Sequence, residues 1–186
     1  MSLEMFVVMV LPLILYVLIE LKYGMRAGVI AAIAASMLIL VYAFVVWRDL
    51  DSMLLTEAAL LVLLGGISYK LNSSVYFKMQ PTVVGLVMGA YLGYFQIFGT
   101  PVLVRMMPLM AKMNPQAHLM MANESGVQFL SALSGQSAWM FALHGVFVGW
   151  VGWKYSSFLW VVSRLTIYPL MIAVVAINGL RYLSPT

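Results

Sequence analysis

The chain has 186 residues, of which 64% are hydrophobic and 9% are charged; it contains no cysteine and its formal net charge is +4. So little charge excludes an ordinary soluble domain, and the lack of cysteine excludes disulfide and thiolate chemistry within this sequence. The basic residues are scattered over the predicted loops, a pattern that suits the anionic headgroups of a lipid bilayer and argues against nucleic acid as a partner.

Six apolar segments predict an all-α, polytopic membrane protein, a small bundle of about six transmembrane helices that forms a single domain over residues 1–186. Each run is long enough to cross hydrocarbon about 30 Å thick. The first segment is residues 3–21; its apolar run from Met5 follows Glu4 rather than a basic stretch and precedes no small-residue cleavage site, so we expect it to remain on the protein. Pro12 removes a backbone hydrogen bond in its middle, so this segment either spans with a kink or lies partly in the interface. The other predicted segments are residues 27–47, 53–69, 82–99, 128–153 and 158–180.

The connections between the segments differ in length and composition. Short turns after the first, second and fifth segments predict antiparallel neighbours, whereas a longer loop over residues 70–81 precedes the fourth. Residues 100–127 contain three prolines, six methionines between Met106 and Met121, and several basic side chains. This composition predicts an amphipathic, Met-rich connection that lies along the headgroup plane. The alternative is a partner-binding surface, because methionine adapts to irregular shapes.

Small residues recur every four positions and mark candidate helix contacts. Gly85, Gly89 and Gly93 form one stripe on the fourth segment. Because hydrocarbon offers no hydrophobic reward for helix association, close approach across small residues must supply dispersion energy instead. The stripe predicts either packing within one bundle or the face of a homodimer. The second segment repeats the spacing at Gly28, Ala32 and Ser36, and the fifth at Gly145 and Gly149.

Ionisable residues within apolar segments are costly and are therefore functional candidates. Glu57, His144 and Arg164 could form a proton or ion path through the third, fifth and sixth segments. Alternatively, the two charged groups snorkel or pair near helix ends, and His144 hydrogen-bonds to a neighbour. If the segments alternate in direction, Glu20 and Arg164 approach the same membrane face as a candidate ion pair.

Signatures of catalysis and of cofactor or metal binding are absent from the sequence. His118 and His144 lie far apart, and neither has a carboxylate at metal-ligand spacing. No glycine-rich stretch ends as a phosphate-binding loop does, and no nucleophile elbow occurs. We therefore predict no enzyme and no cofactor. The polar residues Ser131, Ser134, Gln136 and Ser137 could line a wet crevice or bond to helix carbonyls and neighbours.

Several strings resemble the intracellular septation protein A family of Gram-negative inner membranes. Residues 76–82 read Tyr-Phe-Lys-Met-Gln-Pro-Thr and are similar to the family loop Phe-Ile-Lys-Trp-Lys-Pro-Thr, with Gln80 in place of the second lysine. Residues 101–106, 11–13 and 64–66 also match, so the resemblance covers roughly residues 10 to 107 and thins beyond 110. The residues of this loop that form a candidate recognition surface are Asn72, Tyr76, Phe77, Lys78, Pro81 and Thr82.

The resemblance implies a non-catalytic, multi-pass protein of the bacterial inner membrane with cytoplasmic termini. It would support cell division, septation and envelope integrity through membrane-protein partners. In the loop, the two aromatic residues and Lys78 would either anchor the protein at the headgroups or recognise a partner. Two other functions stay open: a small ion, lipid or small-molecule transporter built on Glu57, His144 and Arg164, and an accessory subunit that docks through residues 106–121.

Overall fold

The computed structural model describes residues 3–47, 52–113 and 123–183. Over these ranges the protein is helical and contains no strand, which confirms the all-α class that the apolar segments predict. The helices are α1 (Leu3–Tyr23), α2 (Met25–Trp47), α3 (Ser52–Leu71), α4 (Ser74–Lys78), α5 (Gln80–Phe98), α6 (Val102–Arg105), α7 (Met107–Met113), α8 (Glu124–Lys154), α9 (Ser157–Leu165) and α10 (Ile167–Tyr182).

The helices differ from the predicted segments at three places. Helix α1 continues through Pro12, and the predicted loop over residues 70–81 contains the short helix α4. The sixth segment breaks at Thr166, between α9 and α10, because Pro169 has no N–H to offer the carbonyl group four residues earlier. The Met-rich connection is helical in α6 and α7, but its residues 114–122 lie outside the described ranges. Its interfacial position therefore stays a prediction.

Three helical stretches among the described residues are long and apolar enough to cross a bilayer. They are Met25–Val45, Ser74–Phe98 and Ser157–Tyr182, and Ala58–Leu71 is a shorter apolar helix. They support a membrane protein, whereas the predicted total of six spans stays a prediction.

The chain divides into two compact units, and the first comprises Met1–Pro81 and Gly149–Val162. Helix α1 packs on α2, α2 on α3 and α3 on α4. Gly24 connects α1 to α2 with a positive φ of 86°, which glycine adopts without steric cost. A Cβ added to Gly28 would lie 2.8 Å from the carbonyl oxygen of Tyr16, so the two helices approach backbone to backbone. Asn72 ends α3 with a φ of 52°.

The second unit comprises Thr82–Val148 and Ser163–Thr186. Helices α5 and α8 run antiparallel, because Gly85 lies against Gly145 while Gln96, near the end of α5, lies against Gly135. Helix α10 is also antiparallel to α8. Thr166, just before α10, contacts His144 of α8, whereas Asn178, near the end of α10, contacts the earlier residue Gln136. The single domain expected over residues 1–186 stays a prediction.

Candidate functional site

Three aromatic rings form the centre of the first unit. Tyr16 of α1, Phe77 of α4 and Trp160 of α9 are all fully buried. The centroid of the Tyr16 ring lies 4.5 Å from that of Phe77 and 5.9 Å from that of Trp160. Such tilted and edge-on pairs are favourable beyond the burial of their area. The three rings therefore bring together elements that are far apart in the sequence.

Polar groups surround these rings and hold the short helix α4 in place. The hydroxyl of Tyr16 donates a 2.8 Å hydrogen bond to Oε1 of Glu20. The indole Nε1 of Trp160 donates to the carbonyl oxygen of Lys78 at 3.0 Å. The Lys78 side chain is only 5% exposed, and the carboxylate of Glu20 attracts its charge. We call Tyr16, Glu20, Phe77, Lys78 and Trp160 the Lys78 cluster.

Two small residues, Gly152 and Ser68, allow the side chains of the Lys78 cluster to pack closely. A Cβ on Gly152, in the last turn of α8, would lie 2.9 Å from Cδ1 of Trp160 and 3.0 Å from Cβ of Lys78. Only a residue without a side chain fits between these two without moving them. The buried hydroxyl of Ser68 accepts a 2.7 Å hydrogen bond from the backbone N–H of Phe77 and so binds α4 to α3.

The predicted recognition loop is placed differently from the expectation. Phe77 and Lys78 are buried rather than available to headgroups or a partner, because α4 turns this side of its single turn toward the aromatic rings. Asn72 and Tyr76 are exposed, so these two remain available for recognition. Pro81 is half-buried, and in the second unit the hydroxyl of Thr82 donates a 2.9 Å hydrogen bond to the carbonyl oxygen of Gly145.

The path predicted over Glu57, His144 and Arg164 stays a prediction, and within the second unit His144 and Arg164 lie close enough to interact electrostatically. His144 Nε2 lies 3.1 Å from the carbonyl oxygen of Ser163 and 3.2 Å from the hydroxyl of Thr166, at the break between α9 and α10. The imidazole thus contacts the same Ser163 carbonyl oxygen that accepts a 2.7 Å hydrogen bond from the Thr166 hydroxyl. Arg164 is half-buried in the second unit and Glu20 belongs to the first, so their pairing stays a prediction. The side chain of Glu57 lies outside the described residues.

The predicted small residues lie at close helix contacts. A Cβ on Gly85 would lie 2.6 Å from the carbonyl oxygen of Phe141, and one on Gly89 would lie 2.8 Å from that of Ala138. At Gly93 the nearest atom would be 3.9 Å away, which is ordinary contact. The first two glycines therefore pack against α8, and the homodimer stays a prediction. Gly28, Ala32, Ser36, Gly145 and Gly149 are buried.

An amide pair joins α8 to α10 and was missed in the sequence. Asn178 donates a 2.8 Å hydrogen bond to Oε1 of Gln136 and accepts one of 3.2 Å from its Nε2. The Nδ2 of Asn178 also donates to the carbonyl oxygen of Val174. The available signal for this pair was an asparagine within an apolar run, and the signals for the Lys78 cluster were Tyr16 and Trp160. None of these residues indicates its partner from the sequence.

Among the residues that the structure describes, no group of three metal-ligating side chains occurs.

The family model for intracellular septation protein A matches residues 5–185. The chain is also similar to the inner membrane-spanning protein YciB of Enterobacter sp. (strain 638), at 28% identity over 52% of this chain and 55% of the relative.

Two further proteins with that name show a similar degree of likeness. The one from Citrobacter koseri is 29% identical over 52% of this chain and 55% of its own length, and the one from Bradyrhizobium sp. (strain ORS 278) is 25% identical over 56% and 52%. The matched part thus spans about half the length of these curated relatives, and no solved structure matches. Because the family model covers nearly all of the sequence, this helical membrane protein belongs to the intracellular septation protein A family.

Proposed function

We propose that this chain is a non-catalytic protein of the bacterial inner membrane that supports septation and envelope integrity through lateral contacts with other membrane proteins. The observation that carries this proposal is the family match over residues 5–185. The relatives are inner membrane-spanning proteins by name, and the three apolar stretches of this chain are in keeping with that location.

The contacts of the polar side chains favour a scaffold protein over a transporter. His144 is bonded to the break between α9 and α10, and Gln136 is bonded to Asn178. A transport path needs polar groups that can exchange partners with a moving solute, whereas these groups hold helices to one another. The outward faces of the spans are apolar, as at Leu38 of α2 and Ile172 of α10. Recognition would then rest on shape and dispersion between helices.

A photo-crosslinking experiment in dividing bacteria tests the proposal. A photoreactive phenylalanine analogue is placed at Leu38 or at Ile172, which are 71% and 70% exposed, and at fully buried Val29 as the matched control. A fluorescent fusion of the same chain reports its position in the cell. We expect enrichment at the division site and membrane-protein adducts at an exposed position only. A uniform distribution in dividing cells, with the same adducts at all three positions, would contradict the proposal.

A further inference from the structure

The second unit has an open groove between α5 and α8 with a volume of about 740 Å³. This volume lies within the roughly 300–1,000 Å³ that is usual for ligand sites in proteins. Half of the lining residues are glycine or alanine, among them Gly93, Ala132 and Ala138, so no large side chain fills the space. The remaining lining is mostly apolar, and the groove therefore suits a hydrocarbon chain.

Exposed aromatic residues border the groove and argue against a second helix as its occupant. Tyr94 and Phe98 of α5 and Trp139 of α8 line the groove and are well exposed. A partner helix gains dispersion energy from a surface of small residues only when the two backbones come close. These bulky side chains obstruct that approach, while a flexible acyl chain can pass between them. The apolar part of the site thus favours lipid over protein.

A basic side chain lies near one end of the groove. The groove reaches Phe98 at the end of α5 and Ala132 in the first part of α8. The guanidinium of Arg105 lies over the ring of Phe95, 5.5 Å from its centroid, and so stays near the end of α5. Arg105 is exposed, so its guanidinium can meet a ligand from the lipid phase while it stays over the ring.

A second arginine lies at the same end of this unit. Asn178 of α10 lies at the level of Gln136 of α8, because the two side chains are hydrogen-bonded. Since the helices are antiparallel, Arg181, about one turn after Asn178, lies near the level of Ala132. Arg181 is exposed and lies over the ring of Tyr182. The acidic Glu124, which begins α8, accepts a hydrogen bond from Gln128. Among the described residues at this end, the two arginines outnumber the one carboxylate, so their charge complements an anion.

We infer that the groove between α5 and α8 binds an acyl chain of an anionic phospholipid whose phosphate is held by Arg105, with Arg181 beside it. Hydrocarbon fills the space over the glycine and alanine floor, and the headgroup lies where the basic residues are. Arginine can bind phosphate oxygens through two parallel hydrogen bonds, so it fixes the orientation of a phosphate better than lysine does. The inference is independent of the septation proposal, which stands if the lipid site fails.

Native mass spectrometry of the full chain, with added lipids of identical acyl chains, tests this site. Phosphatidylglycerol is the anionic probe and phosphatidylethanolamine the zwitterionic one. We expect phosphatidylglycerol to bind several-fold more tightly, and Arg105→Gln to reduce that preference by about fivefold, the usual effect of one basic residue near a lipid surface. Arg26→Gln, a control in the first unit at another arginine that lies over an aromatic ring, should keep the preference.

Filling the groove tests the acyl part of the site separately. Gly93→Leu should weaken binding of both lipids, because its added side chain enters the groove, where the nearest atom to a Cβ is 3.9 Å away. Ala90→Leu is a second filling variant, and Gly66→Leu, at an exposed helical glycine of the first unit with nothing within 4 Å, is the matched control. Binding unchanged by both filling variants would overturn the inference, as would a changed dimer fraction with unchanged lipid binding.

Discussion

The indole Nε1 of Trp160 donates a hydrogen bond to the backbone carbonyl oxygen of Lys78, across 82 positions of the sequence. This bond joins α9 to α4 at the buried centre of the first unit. A backbone carbonyl in apolar surroundings has no water to replace a lost donor, so the bond is worth more there than at a surface. Helix α4 thus depends on a residue from the far end of the chain.

Replacing Trp160 with phenylalanine should lower stability because it removes the donor and keeps a ring. We expect a loss of about 1–3 kcal/mol in the free energy of unfolding, the usual effect of an unsatisfied buried acceptor. Unfolding in mixed SDS and mild-detergent micelles measures it. Trp153→Phe, at a position that is 68% exposed, is the control and should change little. Equal effects of the two substitutions would show that the bond does not support the fold.

Glu20 should matter to stability through Lys78 more than through Tyr16. Glu20→Gln removes the negative charge that attracts the buried ammonium group of Lys78, so we expect it to lower the free energy of unfolding. Tyr16→Phe removes one hydrogen bond but keeps both charges, so its effect should be smaller. The same micelle unfolding measures both. If Tyr16→Phe proved the more damaging, the attraction between Glu20 and Lys78 would be unimportant.

Two glycines of the same stripe should respond in opposite ways to alanine. Gly85→Ala places a methyl group 2.6 Å from the carbonyl oxygen of Phe141, so backbone must shift, and overpacking of this kind costs about 2 kcal/mol. Gly93→Ala meets nothing closer than 3.9 Å and should be neutral or raise stability slightly through its better helix propensity. Thermal unfolding midpoints in one detergent compare them. Equal losses for the two variants would contradict the close contact at Gly85.

The amide pair between Gln136 and Asn178 should show coupling in a double-mutant cycle. Each single change to leucine leaves the other amide without its partner, whereas the double change leaves neither. Interhelical hydrogen bonds in membranes are worth about 0.6 kcal/mol on average and up to about 1.7 kcal/mol. We expect a coupling energy in this range from micelle unfolding. Strictly additive losses would indicate that the two amides act separately.

The all-α membrane fold and the family were predictable because both follow from local information. Apolar runs reveal helices, and the string at residues 76–82 reveals the family. The four-residue spacing of Gly85 and Gly89 also indicated close helix contact, but not that α8 provides the opposing backbone. Spacing along one helix specifies a face and leaves its partner open.

The Lys78 cluster was beyond sequence reasoning for a physical reason. A lysine in a predicted loop is expected at the surface, whereas Lys78 is buried near Glu20 and Trp160, which lie in other parts of the chain. The break at Thr166 is different, because Pro169 is a local signal for it in the sequence. Tertiary partners, rather than local preferences, account for most of what was missed.

The distance in sequence between Lys78 and Trp160 has a consequence for biosynthesis. Ribosomes add roughly 5–20 residues per second, so the 82 residues between them take on the order of several seconds to make. During that interval the nascent first unit exposes Tyr16, Phe77 and Lys78 without the indole that covers them. We therefore expect α4 to reach its final position only after this late segment has been made.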